Sequence, residues 1–253
     1  MVYNSLTEAP RNLKEGIDWL MALRGTDAVK NSRSMGAALY NFFSDKLVGF
    51  KEVPALEEVK VITKKFLEKP ELKDRSYVKG MLKRYNGLMD KNPKKIGDVI
   101  KGVEESDYKN VVKARGVKPE DITKSVSEVV HGCEKFLKHI KAPDQYKSAY
   151  SSEASWETSC AKDPEACAVV LVGIAPMLYT GILSLWDASN PPVFGCRTPG
   201  AAERLRKVLK AVGYAEPESR NSLSRDRVRK ALSNMHKNVL DTIYDFAAYW
   251  AFY

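Results

Sequence analysis

Apolar residues recur at steps of three and four along most of this chain, and each run stops at glycine, proline or a helix-capping residue. Pro10 and Asn12 open a first helix whose Leu13, Ile17, Leu20 and Met21 share a face, and Gly25 closes it. Asp27 caps a second, with Met35, Leu39, Phe42 and Phe43 inward. Pro54 starts a third, carrying Leu56, Val59, Ile62 and Phe66, and Pro70 stops it. Asp74 to Asn86 makes a fourth through Val78, Met81, Leu82 and Tyr85. Pro93 opens a fifth with Ile96, Val99, Ile100 and Val103, and Asp107 to Arg115 is a short sixth. After Pro119 comes the clearest stripe: Ile122, Val126, Val129, Cys133, Phe136 and Ile140, one face of a long helix that Pro143 ends.

The pattern then changes. Residues 167–186, CAVVLVGIAPMLYTGILSLW, carry no charge and no polar face, so as a helix they tolerate water on no side. Asp163 caps this helix and Pro164 takes its first position, a place where the missing amide costs nothing. The length suits a membrane span of roughly 20 residues. Gly173, Pro176, Thr180, Gly181 and Ser184 interrupt it, however, and no Lys/Arg cluster flanks it. The expectation is a central core helix, about 164–186, wrapped by the others, with Gly173 and Gly181 admitting a neighbouring backbone. Residues 187–200 read as a loop, with three prolines, two glycines and no period. Thr198-Pro199 starts another helix, with Leu205, Val208, Leu209 and Val212 inside. Ser224 caps the next, bearing Val228, Leu232 and Met235, and a last one runs from Lys237 to the end through Leu240, Ile243, Tyr244, Ala247 and Trp250. No segment alternates with period two over a strand's length. The fold class is therefore all-α, an irregular multi-helix bundle packed around the central apolar helix, about two-thirds helical. It forms a single domain, 1–253, with a candidate division into lobes 1–143 and 144–253 at the polar stretch 144–152.

Composition adds a charge asymmetry. The chain has 253 residues, enough for a substantial core, and net charge +9. Residues 1–143 hold 28 basic against 20 acidic side chains, whereas 144–253 are nearly balanced. Two basic clusters stand out as a candidate anion-binding surface: Lys60, Lys64 and Lys65 on the third helix, and Arg225, Arg227, Arg229 and Lys230 on the helix after Ser224. Neither has the interleaved aromatics or the reading helix of a nucleic-acid binder, so no nucleic acid is expected.

Candidate chemistry is sparse. The chain has no glycine-rich phosphate loop, no nucleophile elbow and no zinc-protease motif, and no enzyme activity, metal or cofactor is expected. His131 and His139 lean toward one side of the long helix without a third ligand. The cysteines are Cys133, Cys160, Cys167 and Cys196, too few for a disulfide scaffold. Cys160 and Cys167 stand seven apart, too far to bridge along continuous helix. Asp163-Pro164 turns the chain between them, so Cys160 can fold back onto Cys167; two free thiols are the alternative. The polar N-terminus reads as neither signal peptide nor transit peptide.

Four strings carry a family resemblance. YNSLTEAPRNLKEGIDWLMALRGTD (Tyr3–Asp27), SDYKNVV (Ser106–Val112), AYSSEASWETSCAKDPEACAVVLVGIAPMLYTG (Ala149–Gly181) and LDTIYDFAAYWAFY (Leu240–Tyr253) resemble the variant erythrocyte surface antigen-1 family of Babesia blood parasites. The resemblance implies an antigen exported to the infected red-cell surface, engaged in antigenic variation or adhesion through a host-cell surface component or another protein partner. It supplies no catalytic residues. Larger members are cysteine-rich and carry a C-terminal membrane anchor, and this chain shows neither. An intracellular helical scaffold in the parasite cytoplasm and an anion-binding module are the other readings.

Overall fold

A computed structural model describes residues 2–49, 52–87, 110–142, 144–190, 200–214 and 223–253. Of these, 68% are α-helical, close to the fraction the periodicity predicts. The helices are α1 (Leu13–Arg24), α2 (Ala28–Ser44), α3 (Pro54–Leu67), α4 (Ser76–Asn86), α5 (Val111–Ala114), α6 (Pro119–Ile140), α7 (Trp156–Ser159), α8 (Pro164–Ser189), α9 (Ala201–Ala211), α10 (Arg225–Leu232), α11 (Lys237–Phe246) and α12 (Tyr249–Phe252). The expected fifth helix at Pro93 and the helix start at Thr198-Pro199 lie outside the described residues.

The apolar stretch is the centre of the bundle. Asp163 caps α8 by accepting the Ala166 amide at 3.1 Å, and between Cys167 and Leu185 only Tyr179 and Leu183 are less than fully buried. By length and composition α8 could cross a membrane; here its apolar surface is covered by protein. Helices α1, α2, α3, α4, α9, α10 and α11 pack against it. The long helix α6 packs on α1, α2, α10 and α11 instead, so these four have α8 on one side and α6 on the other. A single hydrophobic core runs through both halves of the chain.

Several boundaries differ from the periodicity. Helix α8 continues three residues past Trp186, because Ala188 and Ser189 still face the core, so the loop expected from 187 starts later. Helix α4 begins at Ser76 rather than Asp74, since residues 69–75 are spent on tight turns. The terminal helix is not continuous. Ala248 adopts a left-handed conformation (φ 46°, ψ 54°), and the kink separates α11 from α12. Tyr249 and Phe252 are thereby buried, while Leu240, Tyr244 and Trp250, expected inside, are only half-buried.

The expected approach at Gly173 and Gly181 is real but is made by side chains, not backbone. A Cβ at residue 173 would lie 2.4 Å from Val59 Cγ1 of α3, and one at 181 would lie 2.9 Å from Leu13 Cβ of α1. Pro176, inside the helix, supplies no amide to the carbonyl of Val172. The carbonyl one residue on, that of Gly173, accepts from Thr63 Oγ1 at 2.7 Å.

Candidate functional site

The lead-in to α8 is built from local caps. Ser155 accepts the Thr158 amide and starts the single turn α7, whose Trp156 carbonyl receives the Cys160 amide at 2.9 Å. Asp163 then starts α8. The turn between them brings Cys160 and Cys167 to a Cα separation of 5.7 Å, joined as a disulfide with both residues fully buried. Ser159, beside the bridge, accepts the Leu6 amide at 3.0 Å, and the Leu6 carbonyl accepts Trp19 Nε1 at 2.7 Å. The bridged turn thus holds the N-terminal arm down onto α1.

A second polar knot lies nearby on α1. Asp18 is buried and accepts three hydrogen bonds: from Tyr146 Oη at 2.5 Å, from the Ala149 amide at 2.9 Å and from Lys14 Nζ at 3.1 Å. Lys14 also donates to the Lys147 carbonyl at 2.7 Å and lies over the Tyr146 ring. Burial pushes the Asp18 carboxyl above its ordinary range, against the opposing pull of Lys14 and the hydrogen bonds. A cleft of about 360 Å³ opens beside it, bordered by Arg24, Glu134 and Lys138. Apart from Lys14, Asp18's partners are the Tyr146 hydroxyl and the Ala149 amide, both in the stretch that read as a boundary between lobes. A bridge from Tyr3 to Tyr150, with their rings stacked, fastens the same stretch to the N-terminal arm. Nothing in the spacing of Lys14, Asp18 and Tyr146 marked this knot, since its third member is 128 residues away.

The thiol of Cys133 is free and fully buried, and burial raises it to about 12. A thiol so protonated is a small core side chain, not a nucleophile. Cys196 lies outside the described residues. His131 is exposed and His139 half-buried. Among the described residues no group of three or more His, Cys, Asp or Glu is placed to hold a metal ion.

The two basic clusters are not brought together. Helix α3 lies against the middle of α8, with Val59 at Gly173, whereas α10 lies by its C-terminal end, where Trp186 and Asn190 share a hollow with Arg229 and Lys230. Lys60 is withdrawn from any anion surface: it pairs with Glu57 at 2.8 Å, donates to the Phe252 carbonyl at 2.7 Å and covers the Tyr253 ring. Lys64 is half-buried and Lys65 exposed. On α10, Arg229 and Lys230 are exposed and Arg225 and Arg227 half-buried; among the described residues none of the four side chains pairs with a carboxylate. Lys60 alone drops out of the expected surface; Lys64 and Lys65 remain on α3, and the four basic residues remain on α10.

No protein family, curated protein or solved structure matches the chain. The chemistry must therefore come from the residues themselves. Their polar groups at α1 and at the lead-in to α8 are mutually satisfied and act as fastenings. Among the described residues, α10 presents Arg229 and Lys230, neither paired with a carboxylate, beside an open space.

Proposed function

We propose that this chain is a non-enzymatic binding protein of the exported antigen type, serving antigenic variation or adhesion at the infected red cell. The observation that carries the reading is the buried Cys160–Cys167 bridge at the head of the central helix. A buried structural bridge belongs to an oxidising compartment rather than a reducing cytosol. The string resemblance to variant erythrocyte surface antigens supports the same location. Asp18 and Lys14 favour a non-enzymatic role, because their hydrogen-bonding capacity is spent within the fold. On this reading α8 is a core helix and not a membrane span, and the partner is a host-cell surface component or another protein.

Antibody labelling of intact and permeabilised infected cells tests the proposal. Labelling of intact cells is the expected result. Labelling only after permeabilisation would replace it with the intracellular scaffold.

A further inference from the structure

Trp186 is the residue at which the central helix breaks its own rule. Trp186 is 41% exposed, and among the described residues it is the only aromatic so exposed. Beside it opens a hollow of about 390 Å³. Trp186 and Asn190, one turn apart on the end of α8, form one wall. The other is a stripe along α10 and its end, Asp226, Arg229, Lys230 and Ser233, spaced i, i+3, i+4 and i+7. Arg229 and Lys230 are not needed to neutralise the negative end of the α8 dipole, since Arg75 and Arg204 already meet there on Asp187.

We propose that this hollow binds a small organic anion with a flat ring, a nucleoside monophosphate being the type. The indole offers a stacking face that accepts any planar base. Arg229 supplies a guanidinium fork and Lys230 a point charge for a terminal phosphate. The Asn190 side-chain amide, which has no hydrogen-bond partner among the described residues, offers both a donor and an acceptor to a base edge. Asp226 and Ser233 accept from sugar hydroxyls, and the Asp226 charge repels a second anionic group, which selects one charged end over a polyanion. The volume lies within the roughly 300–1,000 Å³ of small-molecule sites and is too small for a folded partner. This site is independent of where the protein resides.

The full-length chain, titrated with adenosine monophosphate and followed by indole fluorescence and by calorimetry, tests it. Saturable binding is expected, with adenosine about ten-fold weaker or worse and inorganic phosphate leaving the fluorescence unchanged. Replacing both Arg229→Gln and Lys230→Gln should weaken the nucleotide about ten-fold with an unaltered melting temperature. Trp186→Phe should remove the fluorescence change while calorimetry still detects weaker binding. Equal affinity for adenosine, undiminished binding by the double variant, or no saturation by about 10 mM overturns the proposal. So does a single-stranded oligonucleotide that binds more tightly than the monophosphate, which would make α10 part of a polynucleotide surface instead.

Discussion

Thr63 donates its hydroxyl to the Gly173 carbonyl at 2.7 Å, from the helix whose Val59 occupies the space a side chain at residue 173 would need. One residue is thus held by a hydrogen bond and by a steric limit from the same neighbouring helix. The pair fixes how α3 sits on α8.

Alanine at residue 173 tests this contact with the sign as readout. In a helix interior, alanine is favoured over glycine by about 1 kcal/mol. Here its Cβ would lie 2.7 Å from Val59 Cβ, an atom close to the backbone that cannot swing away. Urea unfolding should show Gly173→Ala destabilised by about 1–3 kcal/mol. Val59→Ala should relieve part of the loss, with a coupling of about 1 kcal/mol between the two changes. Gly173→Leu should cost more. A variant at 173 as stable as the wild type would mean the α3–α8 contact is looser than described.

Gly36 is the tighter case. A Cβ there would meet Thr123 of α6 at its Cα (2.7 Å) and amide nitrogen (2.8 Å), so two backbones cross at this point. Backbone yields less than a side chain, so Gly36→Ala should cost at least as much as Gly173→Ala, about 2–3 kcal/mol. Thermal melts of the two variants side by side compare them. A smaller loss at 36 than at 173 would contradict the crossing.

The bridge between Cys160 and Cys167 closes a short loop. Chain entropy then gives about 2–3 kcal/mol of stabilisation, lost on reduction or in Cys160→Ser. The melting temperature should fall in reductant for the wild type and be indifferent to it in the Cys160→Ser/Cys167→Ser double variant. Peptide mapping of the unreduced native protein, alkylated at lysis, should recover the two cysteines as one linked pair. Two singly alkylated peptides would reject the bridge and remove the main support for export.

Asp18 gives a pH signature. Its folded carboxyl binds protons more readily than the unfolded one, because burial outweighs Lys14 and the hydrogen bonds. The cost of its charge is therefore absent below the ordinary carboxylate range, near pH 4, and is incurred as pH rises through the raised native value. Asp18→Asn carries no such cost, so the stability advantage of the wild type over this variant should shrink as pH rises through that window. Urea melts at several pH values measure it. An advantage that grows with pH would show that the ion pair with Lys14 outweighs burial. Asp18→Ala should be destabilised by about 3 kcal/mol or more near neutral pH, because it removes the shared acceptor of Tyr146, the Ala149 amide and Lys14.

The helices were legible along the chain because caps and apolar stripes are local. Asn12, Asp27, Asp163 and Ser224 each accept the amide three residues on, and such bonds depend on nothing distant. The all-apolar run 167–186, broken by glycines and a proline, favoured the centre of the bundle over a membrane span. The turn at Asp163-Pro164 allowed the Cys160–Cys167 pairing but left free thiols equally open. Other features had no local signal. The break at Ala248 interrupts a continuous stripe, and beyond it Tyr249 and Phe252 are buried in the bundle. Asp18 finds its partners at 146–149, Lys60 its carbonyl at Phe252, and Gly36 its obstacle at Thr123, all across long separations in sequence. Whether a basic residue faces solvent or a carbonyl, and whether a tryptophan ends in the core or beside a hollow, depends on which helices meet. Periodicity specifies the face a helix buries; only the packed bundle specifies what that face, and the one left over, will touch.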